Sequence, residues 1–300
     1  MTDRTQGESE EEATQYTDSM RNKGTLKKDI RLSGIGIHTG QEVDLCLKPS
    51  SSGEIIFRRT DLDNLEVNLD PKNIKVKNST YLESQGCRIQ TLEHLLAVLY
   101  VFGIDSVVVE MNGDEIPIMD GSAAPFAEAV QEAGIEHLPE ERVSLQILKP
   151  YQVKEKDASL SFTPDSDFII TYCIEYDHPL IQKQELSVSV NVESFVTEIA
   201  PARTFGFLKD VPSLRARDLA LGGSLDNAVV LDDEGLLGGT LRFPDEFVRH
   251  KILDLIGDLS LMKSPLSGHF KAHRAGHDLH LKTVHFLLNN PEYIGVRPQR

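Results

Sequence analysis

The sequence predicts an α+β protein whose two halves mix strands and helices in similar proportion. Short apolar runs with strand alternation, punctuated by glycine and proline, recur in both halves. One strongly apolar helix is expected in each half, in TLEHLLAVLYVF (91–102) and in RFPDEFVRHKILDLIGDLS (242–260). The stretch 134–141 is charged and ends in LPEE, which reads as the boundary between a domain over 25–138 and a second over 139–300.

Along the chain, residues 1–24 are acid-rich and aromatic-poor, so a disordered tail is expected, with structure beginning at Thr25. LSGIGIHTGQEVDLCLKP alternates around Gly34, Gly36 and Gly40 and reads as strand, glycine-rich turn, strand. His38 in that turn suits a structural role as well as a functional one. Strand-like runs follow at 54–58 and 66–69. Thr91 is placed to cap a helix in which Leu92, Leu95, Leu96, Leu99 and Phe102 are apolar, and Gly103 stops it. A buried strand (104–111), a turn-rich segment GDEIPIMDGSAAPF and a short helix (124–133) complete the first half. The second half reads as strands at 143–148, 159–162 and 168–172, then an alternating stretch at 185–196. Next come APARTFGFL, the 242–260 helix, and KAHRAGH, a loop carrying His277 into a final helix.

Three hundred residues at 40% hydrophobic content can bury a large core. A formal charge of −16 argues against nucleic acid as partner, because a phosphate backbone would be repelled. Three widely spaced cysteines, Cys46, Cys87 and Cys173, with no CxxC pair, fit a reducing cytoplasm and exclude a thiolate zinc cluster. No run of 18 apolar residues is present, so no transmembrane segment is expected, and the acidic N-terminus does not read as a signal peptide.

Within the 242–260 helix, Pro244, Asp245 and Glu246 form a start signal. Val248, Ile252, Leu255, Ile256 and Leu259 share one stripe; His250, Asp254 and Asp258 follow at i, i+4 and i+8 on the opposite face, with Lys251 beside them. A His and an Asp one turn apart converge over the same surface and can share a metal ion. An isolated pair of that spacing is more often a surface hydrogen bond. The third acid, the lysine and a Glu93-His94 pair in the first turn of the other helix tip the reading toward a metal. There the helix dipole disfavours a cationic imidazole, and a carboxylate beside a metal-bound water is what hydrolytic sites need.

TLEHLLAVL, NGDEIPIMDGSAAPF, ARTFGF, FPDEFVRHKILDLIGDL and Gly276-His277 occur together in this order. With them the chain resembles the UDP-3-O-acyl-N-acetylglucosamine deacetylases, zinc amidases that commit a sugar nucleotide to lipid A synthesis in Gram-negative bacteria. The resemblance runs from about Thr25 to near Leu288. It implies two similar domains, each a sheet with packed helices, the helices sandwiched between the two sheets and the active site at the interface. It also implies zinc, with iron(II) suited to the same donors, held by His94, His250 and Asp254. Glu93 would be the general base, and His277, positioned by Asp258, the general acid or electrostatic partner. Lys251 would lie close to the reacting centre, and Thr204 would donate to the forming oxyanion, with Phe205 beside it. Some members carry a cysteine ahead of the Glu-His helix, where this chain has Asn78 or its neighbours; Cys87 is the nearest.

The implied substrate has an acyl chain, a glucosamine and a uridine diphosphate. The alternating stretch Leu186–Val196 serves equally as a groove for the chain or as an ordinary strand. Lys271, His273 and Arg274, with Lys251, are candidates for the diphosphate. A cytoplasmic monomer acting on this small molecule is expected. Two other readings compete: another zinc amidase or peptidase, and a nucleotide-sugar-binding protein with a structural zinc. The last requires a closed four-ligand site.

Overall fold

The computed structural model describes residues 22–77 and 79–297; the expected acidic tail, up to residue 21, and Asn78 lie outside them. The alternation around His38 becomes two antiparallel strands, Ile30–Ile35 and Glu42–Pro49. Val107–Met111 pairs with the second of these and runs parallel to Ile55–Arg59, and Leu65–Asn68 closes the five-stranded sheet. Its inner face follows the two-residue period, with Val43, Leu45, Leu47, Phe57, Val107, Val109 and Met111 buried.

A second sheet of seven strands forms around Leu266–His273. That strand pairs antiparallel with Ala158–Thr163 and parallel with Phe168–Tyr176 and Leu145–Ile147. Tyr151–Glu155, Gln182–Ser189 and Ile294–Val296 complete it.

Between the sheets lie four longer helices: α1 (Glu93–Val101), α2 (Ala124–Ala133), α3 (Glu246–Leu259) and α4 (His277–Asn289). α2 packs on Ile30–Ile35 and on α1, and α1 packs along α3. α3 and α4 rest on the seven-stranded sheet. The architecture is therefore α+β, with the helices as a middle layer. Helix α1 is apolar nearly all round and is buried on every side, as such a composition demands. On α3 the expected stripe is buried, and so is the opposite face with His250, Asp254 and Asp258. That face therefore lines an interior cleft.

Gly257 explains how close α1 and α3 come. A Cβ there would lie 2.8 Å from the Glu93 carbonyl carbon and 2.9 Å from its Cα, nearer than side chains approach. Glycine inside a helix costs about 1 kcal/mol relative to alanine. Here that cost permits backbone contact between the two helices.

Several expectations need correction. Asn22–Leu26 is a strand paired with Ile135–Glu141, so ordered structure begins before Thr25, and the charged stretch read as a boundary is itself a strand. Its polar side chains hid the signal. Asn22 donates to the Leu138 carbonyl and Lys23 bridges Glu140, so the charges belong to a paired ribbon. Thr91 does not cap α1. It sits at φ 60°, Leu92 takes the cap position without a side-chain bond, and the Thr91 hydroxyl donates to buried Glu115. The alternating stretch is strand only to Ser189. Asn191 then caps a helical turn that buries Phe195 and Ile199. The strand reading of Leu186–Val196 thus holds for its first part. Among the described residues, no helix is long and apolar enough to cross a membrane.

Candidate active site

The N-terminus of α1 and the middle of α3 meet at three donors. His94, His250 and Asp254 offer ligand atoms that all lie within 4.8 Å of one another, and all three are buried. His250 Nε2 is 3.4 Å and His94 Nε2 3.8 Å from Asp254 Oδ1, and the two rings stand edge to face with centroids 5.0 Å apart. The Nδ1–H of His250 donates to the Ala202 carbonyl at 3.0 Å, which leaves Nε2 bare and aimed at the cluster. His94 Nδ1 finds no hydrogen-bond partner among the described residues. Burial brings the His94 pKa down to about 3, with His250 adding to the effect, and burial lowers His250 too. Both rings are therefore neutral, the form in which an imidazole can bind a metal ion. Burial works against the Asp254 charge, but Lys251, whose Nζ donates to Oδ2 at 2.8 Å, and the surrounding histidines hold its carboxyl well below the usual range. Two neutral imidazoles and a carboxylate with unused lone pairs suit a divalent cation such as zinc.

Asp258, His277 and His280 also group within the same limit, but differently. His277 Nδ1 and His280 Nδ1 lie 2.6 and 2.8 Å from Asp258 Oδ2, and Thr80 donates to Oδ1 at 2.6 Å. These atoms already satisfy one another, so this group is a hydrogen-bonded relay. His277 is the first residue of α4, and its Nε2 lies 3.8 Å from both Glu93 Oε1 and Asp254 Oδ2. Burial opposes its charge, yet the Asp258 and Asp254 carboxylates outweigh that and raise its pKa to about 10. Asp258 in turn falls to about 2, because His277 overcomes the burial penalty. Burial lifts Glu93 to about 7, His277 partly offsetting it, while Glu93 Oε2 accepts from the Thr80 amide at 3.2 Å.

These groups open on a cleft with a cavity volume of about 340 Å³. Thr204, Phe205 and Lys251 line it, as expected. Thr204 is fixed from both sides: its amide donates to Gly121, and its carbonyl accepts from Val229. Gly121 has φ 90°, and a Cβ there would meet the Asn227 carbonyl carbon at 2.8 Å, so only glycine permits this crossing. Beside Thr204, Arg203 is clamped by Glu246 in the first turn of α3, with Nε to Oε1 at 2.8 Å. Phe207, Val211, Leu214, Ala220 and Val230 form an apolar wall.

The structure does not bring every expected residue to this cleft. The stretch 186–196 contributes nothing to its lining; the apolar wall comes from residues 205–230 instead. Arg274 pairs with Asp157 at 3.1 Å and Glu175 at 3.9 Å and lines a separate pocket. Lys271 and His273 belong to the strand Leu266–His273, so the first three residues of KAHRAGH are strand and only 274–276 form a loop before α4. Arg215 reaches the cleft instead. Thr80, His280, Tyr172 and Ala202 were missed, since their roles depend on contacts between residues distant in sequence.

A family model for UDP-3-O-acyl N-acetylglycosamine deacetylase matches residues 23–289. This chain belongs to that family. Relatives named UDP-3-O-acyl-N-acetylglucosamine deacetylase agree over nearly the whole length. The protein from Thermodesulfovibrio yellowstonii is 45% identical over 271 residues, covering 90% of this chain and 92% of the relative. That from Syntrophotalea carbinolica is 43% identical over 275 residues, 90% of this chain and 89% of its own. That from Myxococcus xanthus is 43% identical over 287 residues, 94% and 91% respectively. The α1 and α3 residues described above all lie inside the matched deacetylase span.

Proposed function

We propose that this chain is a zinc-dependent deacetylase that hydrolyses the acetamide of UDP-3-O-(3-hydroxyacyl)-N-acetylglucosamine, releasing acetate and the free amine. On this reading it catalyses the committed step of lipid A synthesis as a monomer in the cytoplasm of a Gram-negative bacterium. One observation carries the proposal: three buried donors with bare lone pairs face a carboxyl raised to about 7 and an imidazole raised to about 10.

His94, His250 and Asp254 would hold the zinc. When bound, it supplies a Lewis acid that polarises the amide carbonyl and brings a water's pKa to about 7. Glu93 takes the proton from the attacking water. The Thr204 hydroxyl, fixed by its own backbone bonds, donates to the carbonyl oxygen as negative charge develops there. Such a donor is worth about 3–4 kcal/mol in comparable sites. The departing nitrogen needs a proton, and His277 carries one at Nε2 while Asp258 holds Nδ1. The wall of Phe207, Val211, Leu214 and Val230 would take the acyl chain, and Lys251 and Arg215, which line the same cleft, would meet the diphosphate. A structural zinc in a binding protein needs a fourth protein donor, and the cluster offers three.

The test is acetate release from the acylated UDP-sugar by purified protein whose metal content has been measured. Metal-dependent release supports the reading. A metal-loaded protein that binds the sugar nucleotide without releasing acetate would overturn it.

A further inference from the structure

The proposed chemistry uses His277 and Asp258, but the same carboxylate holds a second histidine to which that chemistry gives no task. His280 lies three residues on along α4 and is fully buried. Its Nδ1 is 2.8 Å from Asp258 Oδ2, and its Nε2 is 3.1 Å from the hydroxyl of Tyr172, also fully buried. Tyr172 sits on the strand Phe168–Tyr176, and its hydroxyl is 2.8 Å from the carbonyl of Ala275, two residues before His277.

We propose that His280 and Tyr172 form a brace that positions the proton donor of the deacetylation reaction, a role that rests on the function proposed above. His277 must present Nε2 to the cleft, and its ring can be held so only if both its backbone and its Nδ1 partner are fixed. Tyr172 ties the backbone through the Ala275 carbonyl. His280 ties the partner through Asp258 Oδ2, while Thr80 holds the other carboxylate oxygen.

Hydrogen count favours a continuous chain. Ionised Asp258 only accepts, so His280 carries hydrogen on Nδ1. That leaves His280 Nε2 a bare acceptor, and the Ala275 carbonyl also only accepts, so the single phenol hydrogen of Tyr172 is shared between them, at 3.1 and 2.8 Å respectively. The brace thus joins the seven-stranded sheet to the turn before α4 and to the last acid of the α3 metal face. A histidine buried merely to fill space would need no partner at both nitrogens.

A positioning role separates from a packing role in kinetics. Tyr172→Phe keeps the ring and removes one oxygen; His280→Asn keeps an N–H toward Asp258, and His280→Leu keeps neither bond. With acetate release as the assay, Y172F and H280L should each lower kcat about 10-fold, with KM and metal content unchanged. H280N should recover to within about 3-fold of wild type. The Y172F/H280L double variant should fall about as far as H280L alone, since both remove one brace. Thermal unfolding, run alongside, establishes that the variants are folded at the assay temperature. Unchanged kcat in folded Y172F and H280L, or losses that multiply to about 100-fold in the double variant, would overturn the brace. If wild type itself releases no acetate, the function proposed above fails instead.

Discussion

Glu93 and His277 show how burial divides labour between two residues 3.8 Å apart. Burial raises the carboxyl to about 7, and the acids around His277 raise the imidazole to about 10 against the burial penalty. On the proposed mechanism Glu93 is the base and must be deprotonated, so activity climbs as pH rises through its pKa. On the same mechanism His277 is the acid and must be protonated, so activity falls as pH rises through its pKa. A divalent cation nearby favours the deprotonated form of both. The kcat/KM profile of the metal-loaded protein should therefore be a bell whose limbs lie below 7 and below 10. Glu93→Ala should keep its metal by atomic absorption yet lose about 10²–10⁴-fold in kcat. His277→Ala should keep its metal and flatten the alkaline limb. His94→Ala and Asp254→Ala should lose tight metal binding in a chelator competition, since each removes one of three donors. The spacing of His250, Asp254 and Asp258 was legible in the chain because an α-helix sets it. Thr80 and Ala202 were not, because one is a β-strand hydroxyl and the other a loop carbonyl.

At the scale of elements, the site depends on α1 and α3 lying backbone to backbone at Gly257. Gly257→Ala improves intrinsic helix propensity by about 1 kcal/mol. The added methyl nevertheless has no room against Glu93, and such overpacking costs about 1–3 kcal/mol. The variant should melt at lower temperature and bind zinc more weakly, because parting the helices separates His94 from His250 and Asp254. A higher melting temperature with unaltered zinc affinity would show that the contact does not set the spacing. Both helices could be read from periodicity, and Pro244–Glu246 marked the start of α3 and Gly103 the end of α1, but the start of α1 was misread. Thr91 looked like a cap and instead turns through a left-handed φ to reach Glu115. A cap signal describes local chemistry, and here a buried carboxylate on another segment competes for the same hydroxyl.

For the molecule as a whole, the helical layer brings Glu93, Asp254 and Asp258 together out of water, balanced by Lys251 and His277. A cation binding this cluster in the folded state alone stabilises that state by about 4 kcal/mol at a thousandfold excess over its Kd. Stripping the metal with a chelator should lower the melting temperature, and returning zinc should restore it, as followed by circular dichroism. An unchanged melting temperature would mean the donors do not share a tightly held ion in the native protein.

The sequence by itself determined the elements whose apolar period is strong and the helical face on which His250, Asp254 and Asp258 lie, because backbone geometry repeats along the chain. With the family motifs, it also pointed to the chemistry. Only the tertiary structure decided that residues 205–230 rather than 186–196 wall the cleft, that Arg274 faces Asp157 and Glu175, and that His280 shares Asp258 with His277. Those facts depend on which distant segments come into contact, and contact between segments leaves no period in a chain.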